Sequence, residues 1–219
     1  MVLRVLAAGM IAGILFAVAW YVWFLHCNRR KAGDVLRWVA DAFHGHGRVG
    51  GVRWLTNSSF QARLWLTPAV FRRASLVIRL QPREMPLLWL LGRVRQQPET
   101  LTFQADLDGP PSFDLEVRNH RWESHARGQA PLTARKWSVG QVGPFVATTR
   151  NDWQREITAM MGALAAAREC HCSMVCFRRS SPHFSVTVPL EAIAPESHTQ
   201  TEIFDVLREI AMGASAARF

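Results

Sequence analysis

From Val5 to Leu25 the chain runs 21 residues without a charge, VLAAGMIAGILFAVAWYVWFL, the length that carries a helix across a hydrocarbon core of about 30 Å. Trp20, Tyr21, Trp23 and Phe24 gather at the C-terminal end of this stretch, and Arg29, Arg30 and Lys31 follow. Amphipathic rings and then cations are what a headgroup boundary selects, so the pattern predicts a membrane span ending near residues 25–28. A cleaved signal peptide is the competing reading, because Ala17-Val18-Ala19 has the small-x-small form. Six further apolar or aromatic residues precede the first polar one, which favours a retained anchor. A lipoprotein would need a small residue before Cys27, where His26 stands.

Beyond the span the periodicity changes. Val35, Trp38, Val39 and Phe43 share one helical face, predicting a juxtamembrane helix from Ala32 to Phe43 that ends at the glycines of Gly45–Gly51. Strand-like runs follow at Val52–Thr56, Ala62–Leu66 and Ser75–Leu80, with Asn57-Ser58-Ser59 as a turn, and read as a meander. Pro86–Val94 (PLLWLLGRV) is predicted as a short core helix. Its flanking Arg83, Arg93 and Arg95 leave the membrane interface as the alternative. Leu101, Phe103, Ala105 and Leu107 alternate with polar residues, Asp108-Gly109-Pro110-Pro111 turns the chain, and Phe113, Leu115 and Val117 alternate in turn, which predicts a hairpin.

The segment Trp137–Ala147 reads as strands broken by Gly140, Gly143 and Pro144. Asn151 with Gln154 caps a helix over 151–169, striped by Trp153, Ile157, Met160, Met161 and Leu164. Met174–Arg178 and Phe184–Leu190 form a second hairpin around Arg179-Ser180-Ser181-Pro182, and Thr199 with Glu202 opens a last helix carrying Ile203, Phe204, Leu207 and Ile210. Strands that do not alternate with helices exclude a βαβ repeat. The predicted class is α+β: an N-terminal transmembrane helix, then one mainly antiparallel-sheet domain with a few packing helices. The expected divisions are 1–28 as anchor, 29–47 as juxtamembrane basic helix and glycine hinge, and 48–219 as the soluble domain.

Composition changes this picture little, since 49% hydrophobic and 20% charged residues suit one folded domain. Charge changes it more. Residues 29–95 carry 13 arginines and lysines against three acids, a balance of +10, while the rest of the chain sums to −1. The excess therefore lies next to the anchor, where each cation near an anionic leaflet gains about 1 kcal/mol. Arg29, Arg30, Lys31, Arg37, Arg72, Arg73, Arg83, Arg93 and Arg95 are the candidate membrane- or partner-facing residues. The same residues read equally as solvated strand and loop positions. Nucleic acid is the less favoured partner, because no binding module with interleaved aromatics is present. With Arg4 alone on the N-terminal flank, the positive-inside rule places the domain in the cytoplasm, on the inner or plasma membrane.

Candidate chemistry is sparse. Gly45, Gly47 and Gly50 spell G-x-G-x-x-G, but a helix precedes and a strand follows, the reverse of a dinucleotide site, so a flexible hinge is the expectation. Cys170, Cys172 and Cys176 with His183 form the one thiol-imidazole cluster, of a kind that zinc or copper(I) prefers. Without paired C-x-x-C spacing these cysteines read first as small buried hydrophobes. His120, Glu123 and His125 align on neither a strand nor a helix face, and His44 and His46 read as loop residues. Asp106, Asp108, Asp114 and Glu116 look like a solvated face, and no catalytic motif is present. The residues thus point to a non-catalytic, membrane-anchored accessory or assembly subunit that needs no cofactor and binds a membrane-protein partner or anionic lipid. The alternative is a membrane-tethered metal- or thiol-dependent enzyme.

Overall fold

A single helix, α1 (Val2–Ala42), carries both the apolar stretch and the amphipathic stretch after it. In this computed structural model, residues 2–67, 70–94, 97–111, 113–119, 137–142, 145–150, 172–193 and 202–216 are described. The two helices expected on either side of residue 30 are continuous, because His26 to Lys31 contains no proline or glycine to stop the ladder. Their surroundings differ sharply. Val5, Met10, Ile14 and Val18 are exposed, whereas Ala32, Val39 and Ala42 are buried against the domain.

The described strands form one antiparallel sheet in the order β1-β2-β3-β4-β9-β8-β5-β7-β6. They are β1 (Gly47–Thr56), β2 (Ser59–Leu66), β3 (Phe71–Arg79), β4 (Thr100–Leu107), β5 (Leu115–Asn119), β6 (Trp137–Val142), β7 (Phe145–Arg150), β8 (Met174–Phe177) and β9 (Phe184–Pro189). Between β3 and β4 lies α2 (Pro86–Val94), and α3 (Glu202–Ala216) follows the last strand. Period-two alternation selects one face as the core: Phe60, Ala62 and Leu64 on β2, Leu76 and Ile78 on β3, Leu101 and Phe103 on β4, and Phe184 and Val186 on β9 are all buried. The C-terminal part of α1 and the α3 helix cover that face. Phe43 stacks on Phe103 at 6.2 Å and meets Phe204 edge-on at 5.4 Å, while His46 stacks on Phe204 at 4.4 Å.

The α+β class with an N-terminal apolar helix is the observed architecture, and the β1–β2–β3 meander and the β8–β9 hairpin are present. The hairpin expected between residues 101 and 117 is not. Both runs are strands, but β4 pairs with β3 and β9, and β5 pairs with β7 and β8. The β8–β9 hairpin enters between them, since alternation makes a strand without choosing its neighbour.

The core helix expected at 86–94 forms but is not in the core: of its residues only Gly92 is buried. The glycine segment is largely strand rather than hinge. Gly45 takes the turn at φ +87°, a conformation that suits glycine. Gly47 and Gly50 lie on β1, where a Cβ would meet Trp65 O at 2.4 Å and Trp65 Nε1 at 2.3 Å. The helix expected at 151–169 and the residues His120, Glu123 and His125 lie outside the described residues.

Candidate functional site

Where α1 reaches the domain, a run of polar residues interrupts an otherwise apolar contact. Asn28 is fully buried on α1; its Nδ2 donates to Gln81 O at 3.4 Å and to Glu84 Oε2 at 3.3 Å. One turn later Lys31 pairs with Glu99 Oε2. The other oxygen of Glu99 accepts from Arg83 Nη2 at 3.0 Å and from the backbone N–H of Gln81 at 3.3 Å. Buried charge persists only when paired and hydrogen-bonded, and the Glu99 carboxylate meets that condition with three donors. The result is a polar collar that ties α1 to the loop before α2 and to the start of β4.

The same end of the domain reaches further along α1. Trp20 Nε1 donates to Arg83 O at 3.1 Å, and the Trp20 ring meets Trp89 of α2 edge-on at 6.2 Å. Tyr21 OH accepts from Asn57 Nδ2 at 2.9 Å, at the β1–β2 turn. Trp20 stands five residues before Leu25, so the rise of a helix puts these contacts about 7 Å inside the apolar stretch.

The expected basic residues do not form one patch. Lys31 and Arg83 are spent on Glu99. Arg29 lies over Trp54 at 5.2 Å and Arg93 over Trp89 at 5.5 Å, and Arg30 is exposed on the turn of α1 that carries Asn28 and Lys31. These three have no carboxylate partner among the described residues. Arg37 pairs with Asp34 on the exposed side of α1 at 2.8 Å. Arg72 and Arg73 stand at the start of β3, whereas the collar lies beyond its end, about 20 Å away at the rise of a strand. Arg72 pairs with Asp108 at 2.5 Å, and Arg73 occupies the left-handed region (φ 43°) at a register shift. Arg95 lies outside the described residues.

The thiol-imidazole residues are divided by the sheet. Cys172 packs in the hydrophobic core with Val175 and Phe177. Cys176 alternates with those two and so faces the other side, opposite Ser185 and Glu116. His183 shares that side; its Nδ1 lies 4.0 Å from Asp106 Oδ1, which also accepts from Ser181 Oγ at 2.7 Å. Burial, assisted by the Glu116 carboxylate, pushes the Cys176 thiol up to about 12, far from the thiolate that metal binding and nucleophilic attack require. Among the described residues no three His, Cys, Asp or Glu side chains converge to hold a metal, and Cys170 lies outside them.

Of the four acidic residues read as a solvated face, Asp108 does meet solvent, whereas Asp106 is largely covered and Asp114 accepts from Arg179 N at 2.9 Å. Sequence reasoning missed the collar. Glu84 was the available signal, as one of only three acids in the basic segment 29–95.

No family model matches the chain, and no curated protein matches it. Among solved structures, it is similar to the crystal structure of the mycobacterial trehalose monomycolate transport factor A, TtfA, at 10% identity and a TM-score of 0.41, over 85% of this chain and 93% of that one. A likeness at that level carries no functional argument.

Proposed function

We propose that the chain is a single-pass membrane protein whose basic domain rests on the cytoplasmic face of the inner or plasma membrane and serves as an accessory or assembly subunit. Its partner is a membrane protein, with anionic lipid as a secondary contact. The observation that supports this reading most is the continuity of α1: an exposed apolar stretch, long enough to cross a bilayer, becomes a buried helix of the domain without a joint. A helix built that way transmits the pose of the anchor to the domain instead of tethering it loosely. Of the nine candidate cations, Arg29, Arg30 and Arg93 are those near the collar without a carboxylate partner among the described residues, and with lipid headgroups they would gain about 3 kcal/mol at about 1 kcal/mol each. That is enough to orient the domain and too little to hold it without the anchor.

Gentle detergent extraction at native expression, with mass spectrometry of what co-purifies and metal analysis of the same sample, tests the proposal. A stoichiometric membrane protein is the expected result. A protein that emerges alone and carries bound zinc or copper would overturn it and move the search to Cys170, Cys172, Cys176 and His183. Cleavage of the domain by protease added outside intact cells would reverse the orientation.

A further inference from the structure

The nine residues of α2 are placed where water is a poor solvent for them. Leu87, Leu88, Leu90, Leu91 and Val94 are 47–77% exposed, and Met85 just before the helix is 54% exposed. Arg93 is the helix's only charged residue, and its guanidinium is folded over Trp89. A run of large apolar side chains with no polar residue among them marks a covered surface, not a wet one. Three observations identify the cover.

First, Trp89 of α2 packs against Trp20, and Trp20 belongs to the apolar stretch of α1. The outer surface of α2 therefore continues the surface of the span. Second, Arg29, Arg30 and Arg93 stand around this end without carboxylate partners among the described residues, in position to reach headgroups while their stems lie along apolar surface. Third, part of the backbone at the two ends of α2 is satisfied within the chain. Pro86 opens the helix and brings no N–H to satisfy, Trp89 N bonds Met85 O at 2.8 Å, and past the C-terminal end Gln97 N bonds Gly92 O at 3.0 Å.

We infer that α2 is a second membrane element, seated among the acyl chains of the leaflet that faces the domain, alongside α1. At nine residues it is about 14 Å long, less than half of a ~30 Å core, and so it enters one leaflet without crossing. With α1 it gives the domain two points of attachment, which fixes rotation about the anchor axis as well as height above the bilayer. This inference rests on the reading of α1 as the membrane anchor.

The full chain, reconstituted in vesicles of phosphatidylcholine and phosphatidylglycerol, provides the test. A genetically encoded environment-sensitive fluorescent residue replaces Leu87 or Val94, with Ile14 and Arg72 as reference positions. Quenching by acyl-chain-brominated lipid is compared with quenching by aqueous iodide. Seating in the leaflet requires positions 87 and 94 to lose fluorescence to brominated lipid as position 14 does, and to resist iodide. Iodide quenching at 87 and 94 as strong as at 72, with 14 still quenched by lipid, overturns the inference and leaves the anchor standing. Protection from both quenchers at 87 and 94 also overturns it, because a protein then covers α2. Iodide quenching at 14 overturns the anchor reading itself, and the inference falls with it.

Discussion

Replacing Glu99 by alanine removes the acceptor on which the collar converges. The carboxylate side chain is 7% exposed and takes Lys31, Arg83 and the Gln81 N–H. Leaving the part-buried amide without a partner costs about 1–3 kcal/mol. The two cations add less than a buried pair would, because Lys31 is 40% and Arg83 28% exposed and water re-solvates both, so about 1 kcal/mol is a fair share for them. The expected loss is about 2–4 kcal/mol, which for a domain of this size lowers the melting temperature by about 6–12 °C. Glu99→Gln keeps an oxygen for the Gln81 N–H and is expected to fall between Glu99→Ala and the parent. Asp34→Ala breaks only the exposed Arg37 pair, 79% and 59% exposed, and is expected to cost less than about 0.5 kcal/mol. Thermal unfolding of the full chain in lipid nanodiscs, followed by tryptophan fluorescence, gives all three values. If Glu99→Ala melts together with Asp34→Ala, the collar does not hold α1 to the domain.

Three further outcomes follow from the geometry. Gly47→Ala sets a Cβ 2.4 Å from Trp65 O and 2.9 Å from Leu66 Cα, so backbone must move at a cost of about 1–3 kcal/mol. Gly51→Ala meets nothing within 4 Å and is expected to be neutral or to stabilise by up to about 1 kcal/mol; the same melting assay separates the two. Phe103, 1% exposed among Phe43, Phe71 and Phe184, is expected to cost about 3–5 kcal/mol on change to alanine. Equal stability of Phe103→Ala and the parent in urea titration would contradict the core assignment. Burial pushes the Cys176 thiol up to about 12 in the fold, well above the ordinary thiol range near 9. The folded chain thus keeps a proton that the unfolded chain gives up. Stability from this group is complete below about pH 9 and declines as pH rises from 9 toward 12. Denaturant midpoints of Cys176→Ala and the parent should converge with pH in that window, and thiol reagents should leave Cys176 unmodified near neutrality.

The functional proposal depends on the N-terminal apolar helix, and that helix is where sequence alone was most informative. A run of apolar residues long enough to cross a bilayer, closed by aromatics and cations, is a local property that no later part of the chain can alter. The strand positions were equally legible, because alternation between Leu101 and Leu107 or between Phe184 and Val188 declares a buried face wherever the strand ends up. The last helix announced itself through its stripe, of which Phe204, Leu207 and Ile210 are buried; the expected cap at Thr199 lies outside the described residues.

Partnership was not local, and only the tertiary structure decided it. Residues 101–107 and 113–117 carried every mark of a hairpin, yet β9 and β8 lie between them, since one antiparallel strand can pair with any other whose buried face matches. Glu99 gave no sign of itself because its three donors come from Lys31, Gln81 and Arg83, distant along the chain or across a loop. The helix at 86–94 shows the limit most directly. Its composition called for an apolar medium, and protein core and lipid are both apolar. Only the tertiary structure puts it outside the core, beside Trp20 on the end of the domain from which α1 departs.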